Sequence, residues 1–172
     1  MNDTISLRFE SKLYAPAERV WEWITSVKGI SAEMWPFFRM TAPKSIHSLN
    51  DVQIEPGVRM FRSYVFLFGV LPIDYSDMTL LELKAGQGFI EQSPMGSMKL
   101  WRHERRIVPY PSDPGAVLLV DQLTFRPRMA KRLVGWFIRR VFTHRHEVLR
   151  ANLSGAQQGA QADGPAAGGS AA

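Results

Sequence analysis

Three stretches of this chain carry acid, base and imidazole at alternate positions. Trp101, His103, Arg105 and Ile107 are spaced by two, as are Phe89, Glu91 and Ser93, and again Leu119, Asp121, Leu123 and Phe125. In an extended strand alternate side chains share a face, so each set projects to one side of its strand. If those sides turn inward together, His103 meets Glu91 and Asp121, and general acid/base chemistry becomes available. His103, Glu91 and Asp121 are therefore the catalytic candidates. A buried carboxylate beside Arg105 or His103 is tolerated only when paired and hydrogen-bonded. The same residues thus also read as a polar network that fixes sheet register and curvature, or as the group that orients a ligand's polar end.

A second set suits binding. Arg62 and Tyr64 alternate in step with Met60, Phe66 and Phe68, an Arg and a phenol among apolar neighbours that fit a carboxylate or phenol headgroup. The expected ligand contacts are Arg62, Tyr64, Glu91, Trp101, His103, Arg105, Phe137 and Val141. Met34, Met40, Met60, Met78, Met95, Met98 and Met129 suggest an adaptable lining, because thioethers fill irregular space with little shape specificity.

Other chemistries lack their residues. The chain has no G-x-S-x-G, H-E-x-x-H, Walker loop or G-x-G-x-x-G. It has no cysteine, which excludes disulfides and thiolate metal sites. His144 and His146 are two apart and diverge on a helix, whereas a shared metal usually needs a spacing of four. No metal and no cofactor is expected. His144 reads as an edge histidine flanked by Arg140 and Glu147.

The elements that must position these residues follow from periodicity. Residues 5–14 alternate as a strand, ended by Ala15 and Pro16. Pro16 suits a first helical turn, Val20, Trp21, Ile24 and Val27 recur at helical spacing, and Gly29 is expected to break that helix. A second short helix is expected over Ser31 to Phe38, with Ser31 as its N-cap. After a loosely defined strand at Lys44 to Ser48, strands are expected at Arg59 to Phe68, Ile73 to Leu83, Gly88 to Ser93, Met98 to Val108 and Ala116 to Phe125, joined by hairpin-length turns. Arg126 to Leu153 reads as one long helix. Its apolar sector is Ala130, Leu133, Val134, Phe137, Ile138, Val141, Val148 and Ala151, and its opposite face is Arg128, Arg132, Arg139, His146 and Arg150. The whole is an α+β layer fold. A chain of 172 residues fits one domain, expected over residues 1–153, with a disordered Gly/Ala-rich tail over 154–172 that has nothing apolar to bury.

This order of elements resembles the START-like (SRPBCC) helix-grip superfamily, which includes the polyketide cyclase/dehydrase group. Phe89-Ile90-Glu91-Gln92-Ser93, Pro94-Met95-Gly96, Trp101-Arg102-His103 and Asp121-Gln122-Leu123-Thr124-Phe125-Arg126-Pro127 are similar to successive segments of its small bacterial ligand-binding members, and Phe142-Thr143-His144-Arg145-His146 to an element of their last helix. Pro127-Arg128-Met129 departs from the Pro-then-Gly that relatives often carry there. The resemblance implies a curved antiparallel sheet of six to seven strands wrapped around a long C-terminal helix, with two short helices after the first strand. It also implies a cavity for a hydrophobic or amphipathic small molecule, held for transport or sequestration. A cyclase/dehydratase-type enzyme working through His103 with Glu91 or Asp121 is the alternative.

Charge suggests a third reading. The net charge is +5, yet residues 126–150 carry eight Lys or Arg against one acid, so the basicity belongs to the last helix. Weak docking on anionic membrane through Arg132, Arg139 and Arg150 would fit such a stripe, with an ordinary solvated face as its plain alternative. Nucleic acid is not expected, since no aromatic platform interleaves the cations. The first ten residues show no basic-then-apolar pattern and the longest apolar run, Val65 to Ile73, is short, so a cytoplasmic protein is expected.

Overall fold

The structure, a computed structural model, describes residues 3–154. The Gly/Ala-rich stretch after Ser154 lies outside the described residues. The chain runs β1 (Ile5–Leu13), α1 (Ala17–Thr25), α2 (Val27–Met34), β2 (Phe38–Met40), a 3-10 turn (Leu49–Asp51), β3 (Arg59–Leu67), β4 (Leu71–Lys84), β5 (Gly88–Glu91), β6 (Met98–Pro109), β7 (Val117–Pro127) and α3 (Lys131–Leu153). All seven strands join one antiparallel sheet in the order β1-β7-β6-β5-β4-β3-β2. The fold is therefore the expected α+β grip, with a curved sheet holding the long helix. Among the described residues no helix is long and apolar enough to cross a membrane.

Two apolar clusters fill the grip. Leu13, Trp21, Ile24, Leu80, Leu119, Leu149 and Leu153 pack at one end, and Leu7, Phe38, Val65, Leu123, Phe125, Ile138 and Phe142 at the other. The alternation in β1 buries Leu7, Ser11 and Leu13 while Arg8 and Glu10 stay outside.

Local detail departs from expectation in three places. The first break between helices is at Ser26, whose hydroxyl caps α2 by accepting from the Gly29 N–H at 2.9 Å. Gly29 lies inside α2 because a Cβ there would stand 2.1 Å from the Trp23 carbonyl oxygen; it permits close helix packing and does not stop the helix. The Lys44 to Ser48 strand does not form. Ser48 instead caps the 3-10 turn with Asp51, and the added strand is β2, which begins at Phe38, where the second helix was expected to end.

The third departure concerns α3. Arg126 and Pro127 still pair with β6, and the helix begins only after Ala130 turns the chain at φ 48°. Its buried face is Ile138, Val141, Phe142, Arg145, His146, Leu149 and Leu153. Leu133 is 64% exposed, and Ala151 is exposed as well. The helix is thus rolled so that Arg145 and His146, and not a purely apolar stripe, face the sheet. Partners waiting in the sheet and in α2 set that roll.

Candidate functional site

Between α3, α2 and the concave sheet lies a cavity of about 520 Å³. Its wall is mostly apolar, with Phe38, Val65, Leu80, Phe89, Trp101 and Phe137 among its residues and Met34, Met40, Met78, Met95 and Met98 between them. Met60 packs against the core instead, and Met129 is exposed. Phe68, Ile73 and Leu133 line the cavity and are also solvent-exposed, so they mark its mouth.

One corner of the wall is polar. Glu91 and His103 are directly opposite one another on β5 and β6 and both line the cavity. The His103 Nδ1 stands 3.8 Å from Glu91 Oε2, and Glu91 Oε1 accepts from the Ser93 hydroxyl at 2.7 Å. Behind His103 its Nε2 meets Asp121 Oδ1 at 2.8 Å. Asp121 also accepts from Arg105 Nε and Nη2, both at 2.7 Å, and meets His146 Nε2 at 3.0 Å. A carboxylate that accepts this many bonds stays ionised, so both histidines present an Nε2–H to it. His146 Nδ1 meets the Ser11 hydroxyl at 2.7 Å, and Ser11 accepts from Arg150 Nη1 at 2.7 Å.

Glu33 on α2 completes the network. It accepts from Arg105 Nη1 at 2.9 Å, from Arg145 Nη2 at 2.8 Å and Nε at 3.0 Å, and from the Trp23 indole N–H at 3.1 Å. Burial works against each charge here. It pushes the Asp121 carboxyl up, but Arg105 and then His103 outweigh it and hold Asp121 well below the usual carboxylate range. Desolvation lowers Arg105, yet Asp121 and Glu33 hold it above its ordinary value. Arg145 lies below its ordinary value, through burial first and the neighbouring Arg105 second, with Glu33 opposing.

Of the residues expected to carry chemistry, Glu91, His103, Trp101 and Phe137 line the cavity. Arg105 and Asp121 do not reach it. Both are 0% exposed and sit behind His103, where they orient it. Val141 packs into the core of the grip. Arg62 and Tyr64 are a correction: they stand on the outer face. Arg62 forks onto Asp77 at 2.7 and 2.9 Å over the ring of Tyr75, and Tyr64 is 54% exposed. Register irregularities at both ends of β3 let Ser63 and Val65 face inward instead. His144 bonds the Trp35 carbonyl oxygen at 2.7 Å and faces Glu147 at 3.8 Å, the edge position foreseen for it.

Sequence reasoning missed Glu33, Arg145, His146 and Ser76. Glu33 had a signal: it falls three residues after Ile30 and one before Met34, on the apolar side of its helix, and an acid there needs a buried cation. Ser76 had none.

The model of a family described as a domain of unknown function (DUF8410) matches residues 11–153. The chain belongs to this family. No curated protein matches it by sequence. Solved structures are similar to this chain in fold. The Zhui aromatase/cyclase from Streptomyces sp. R1128 superposes with a TM-score of 0.63 at 13% identity, over 94% of this chain and 99% of that one. A START superfamily protein from Mycobacterium smegmatis gives 0.61 at 12%, over 86% and 96%. Ara h 8.0201 gives 0.58 at 9%, over 87% and 97%. At such identities the likeness is one of fold, and the fold of this chain is the helix-grip fold.

Proposed function

We propose that this DUF8410 domain binds one hydrophobic or amphipathic small molecule between its sheet and α3. The observation that carries this is the cavity of about 520 Å³, within the roughly 300–1,000 Å³ typical of small-molecule sites, with a methionine-rich, mostly apolar wall and a polar corner at Glu91 and His103. Titration with the hydrocarbon probe 1,6-diphenylhexatriene tests it. We expect one probe per chain, and a loss of affinity of at least tenfold in Leu67→Trp, because Leu67 lines the cavity and an indole there consumes the volume. No fluorescence gain with the wild-type protein would end the reading. The cyclase/dehydratase alternative uses the same corner, with His103 Nδ1 as base and Asp121 holding Nε2–H. Native mass spectrometry of the purified protein separates the two, since a bound molecule that changes mass during incubation marks an enzyme.

A second reading concerns exchange at a membrane, and the mouth favours it. Val70, Leu71, Met129 and Trp136 are exposed near the residues that form the rim. The turn there places Phe68 at φ 50° and Gly69 at φ 75°, closed by Val70 N–H on the Leu67 carbonyl at 3.2 Å. That turn favours Asn and Gly, and a non-Gly residue held left-handed costs about 1–2 kcal/mol, so a phenylalanine there serves something besides the turn. Arg132 and Arg139 are exposed on the same half of α3. Arg150 is excluded from this surface, lying about 27 Å along the helix from Arg132 and bonded to Ser11. Co-sedimentation with phosphatidylglycerol vesicles at low salt is expected, falling at least fivefold in Arg132→Glu/Arg139→Glu. Equal sedimentation with neutral vesicles would reduce the cations to a solvated face.

A further inference from the structure

We propose that the cavity selects an uncharged amphipath ending in a hydroxyl group and excludes carboxylates of the same length; this rests on the binding function proposed above. The cavity's charged and titratable wall residues are Asp74, Glu91, His103 and Arg145, and two of them, Asp74 and Arg145, are already committed to partners. Asp74 is held near the mouth by the backbone N–H groups of Tyr75 and Ser97 and by the Ser97 hydroxyl. Arg145 is matched by Glu33, as Arg105 is matched by Asp121 and Glu33. Behind the wall, two guanidinium groups therefore face two carboxylates, which leaves no surplus cation to receive an acid.

What remains open is the pair Glu91 and His103. Asp121 holds the Nε2–H of His103, and the other ring nitrogen, Nδ1, stands 3.8 Å from a Glu91 oxygen. That gap is too long for a hydrogen bond. A ligand hydroxyl, which both donates and accepts, fits between them, donating to Glu91 and meeting Nδ1. A ligand carboxylate would have no proton to give Glu91 and would bring a further negative charge beside it into a low-dielectric corner, where an unpaired ion is strongly disfavoured.

An independent observation points the same way. Ser76 is 1% exposed and lines the cavity, and its Oγ is buried with no hydrogen-bond partner. Buried hydroxyls are ordinarily bonded, so this one is placed to meet a bound molecule. It lies on β4 four residues from Leu80, which is opposite Glu91, hence about 13 Å along the strand. The ligand therefore has its hydroxyl at the deep corner, an apolar body, and room for a second neutral polar group toward the mouth.

Displacement of bound 1,6-diphenylhexatriene at pH 7.5 by 1-dodecanol, dodecanoate and dodecylamine tests the proposal. We expect dodecanol to displace the probe at a concentration at least tenfold lower than dodecanoate or dodecylamine. Glu91→Gln, which keeps the shape and removes the charge, is expected to narrow the gap between alcohol and carboxylate to about threefold, each displacement being referred to the variant's own probe affinity. Equal potency of dodecanol and dodecanoate on the wild-type protein, or tighter binding of the amine, would overturn the headgroup assignment while sparing the cavity function. Failure of the probe itself to bind would remove both.

Discussion

Glu33→Ala is expected to destabilise the protein by about 3–5 kcal/mol, the usual consequence of stranding a buried charge by removing its partner. Glu33 is 0% exposed and accepts from Arg105, Arg145 and Trp23. Its loss leaves one guanidinium half-paired and the other without a carboxylate. For a domain of this size each kcal/mol lowers the melting temperature by roughly 2–4 °C, so a drop of at least roughly 6 °C should appear in a thermal melt. Glu33→Leu/Arg145→Leu should recover much of this, since removing a buried pair together is often close to neutral. A loss below about 1 kcal/mol in Glu33→Ala, on the scale of a surface pair, would mean that water reaches these guanidinium groups and that the network does not hold α2 against α3.

The same residue shows how far the sequence could be read. Alternation in β1, β6 and β7 places Leu7, His103 and Asp121 inward, because a one-residue slip would turn Arg8, Glu10, Arg102, Glu104 and Arg106 into the core. Where pairing is irregular, that logic fails. The shifts in β3 put Arg62 and Tyr64 outside, and no local pattern announces a bulge.

The roll of α3 was hidden for another reason. An amphipathic sector is drawn by assuming that Arg and His prefer water, whereas Arg145 and His146 are buried because Glu33 and Asp121, more than a hundred and about twenty-five residues away in the chain, receive them. Periodicity reports the average preference of a side chain. The partner that reverses the preference is a tertiary fact. Glu91 and His103, by contrast, were legible as a pair because both the alternation and the antiparallel order of β5 and β6 follow from short turns.

Asp121→Asn is the complementary case, and its effect should depend on pH. Asp121 accepts the fork of Arg105 and holds the Nε2–H of His103 and of His146. The amide cannot receive all four donors, and it leaves Arg105 with Glu33 alone, so a loss of about 3–5 kcal/mol at pH 7 is expected. The sign of the pH dependence follows from linkage. The carboxyl is held well below its ordinary value of 3.8, so its contribution is fully present above about pH 4 and is lost as the pH falls toward its folded value. Wild type and Asp121→Asn should therefore differ most at neutral pH in urea unfolding, and converge below about pH 4. Asp77, Glu82 and Asp113 are also shifted down by their cations, but they are present in both proteins and cancel in the difference. A gap that stays constant from pH 7 to pH 3 would show that Asp121 contributes by shape and hydrogen-bond geometry rather than by charge, and His103 would then owe its orientation to packing against Phe89 and Phe142.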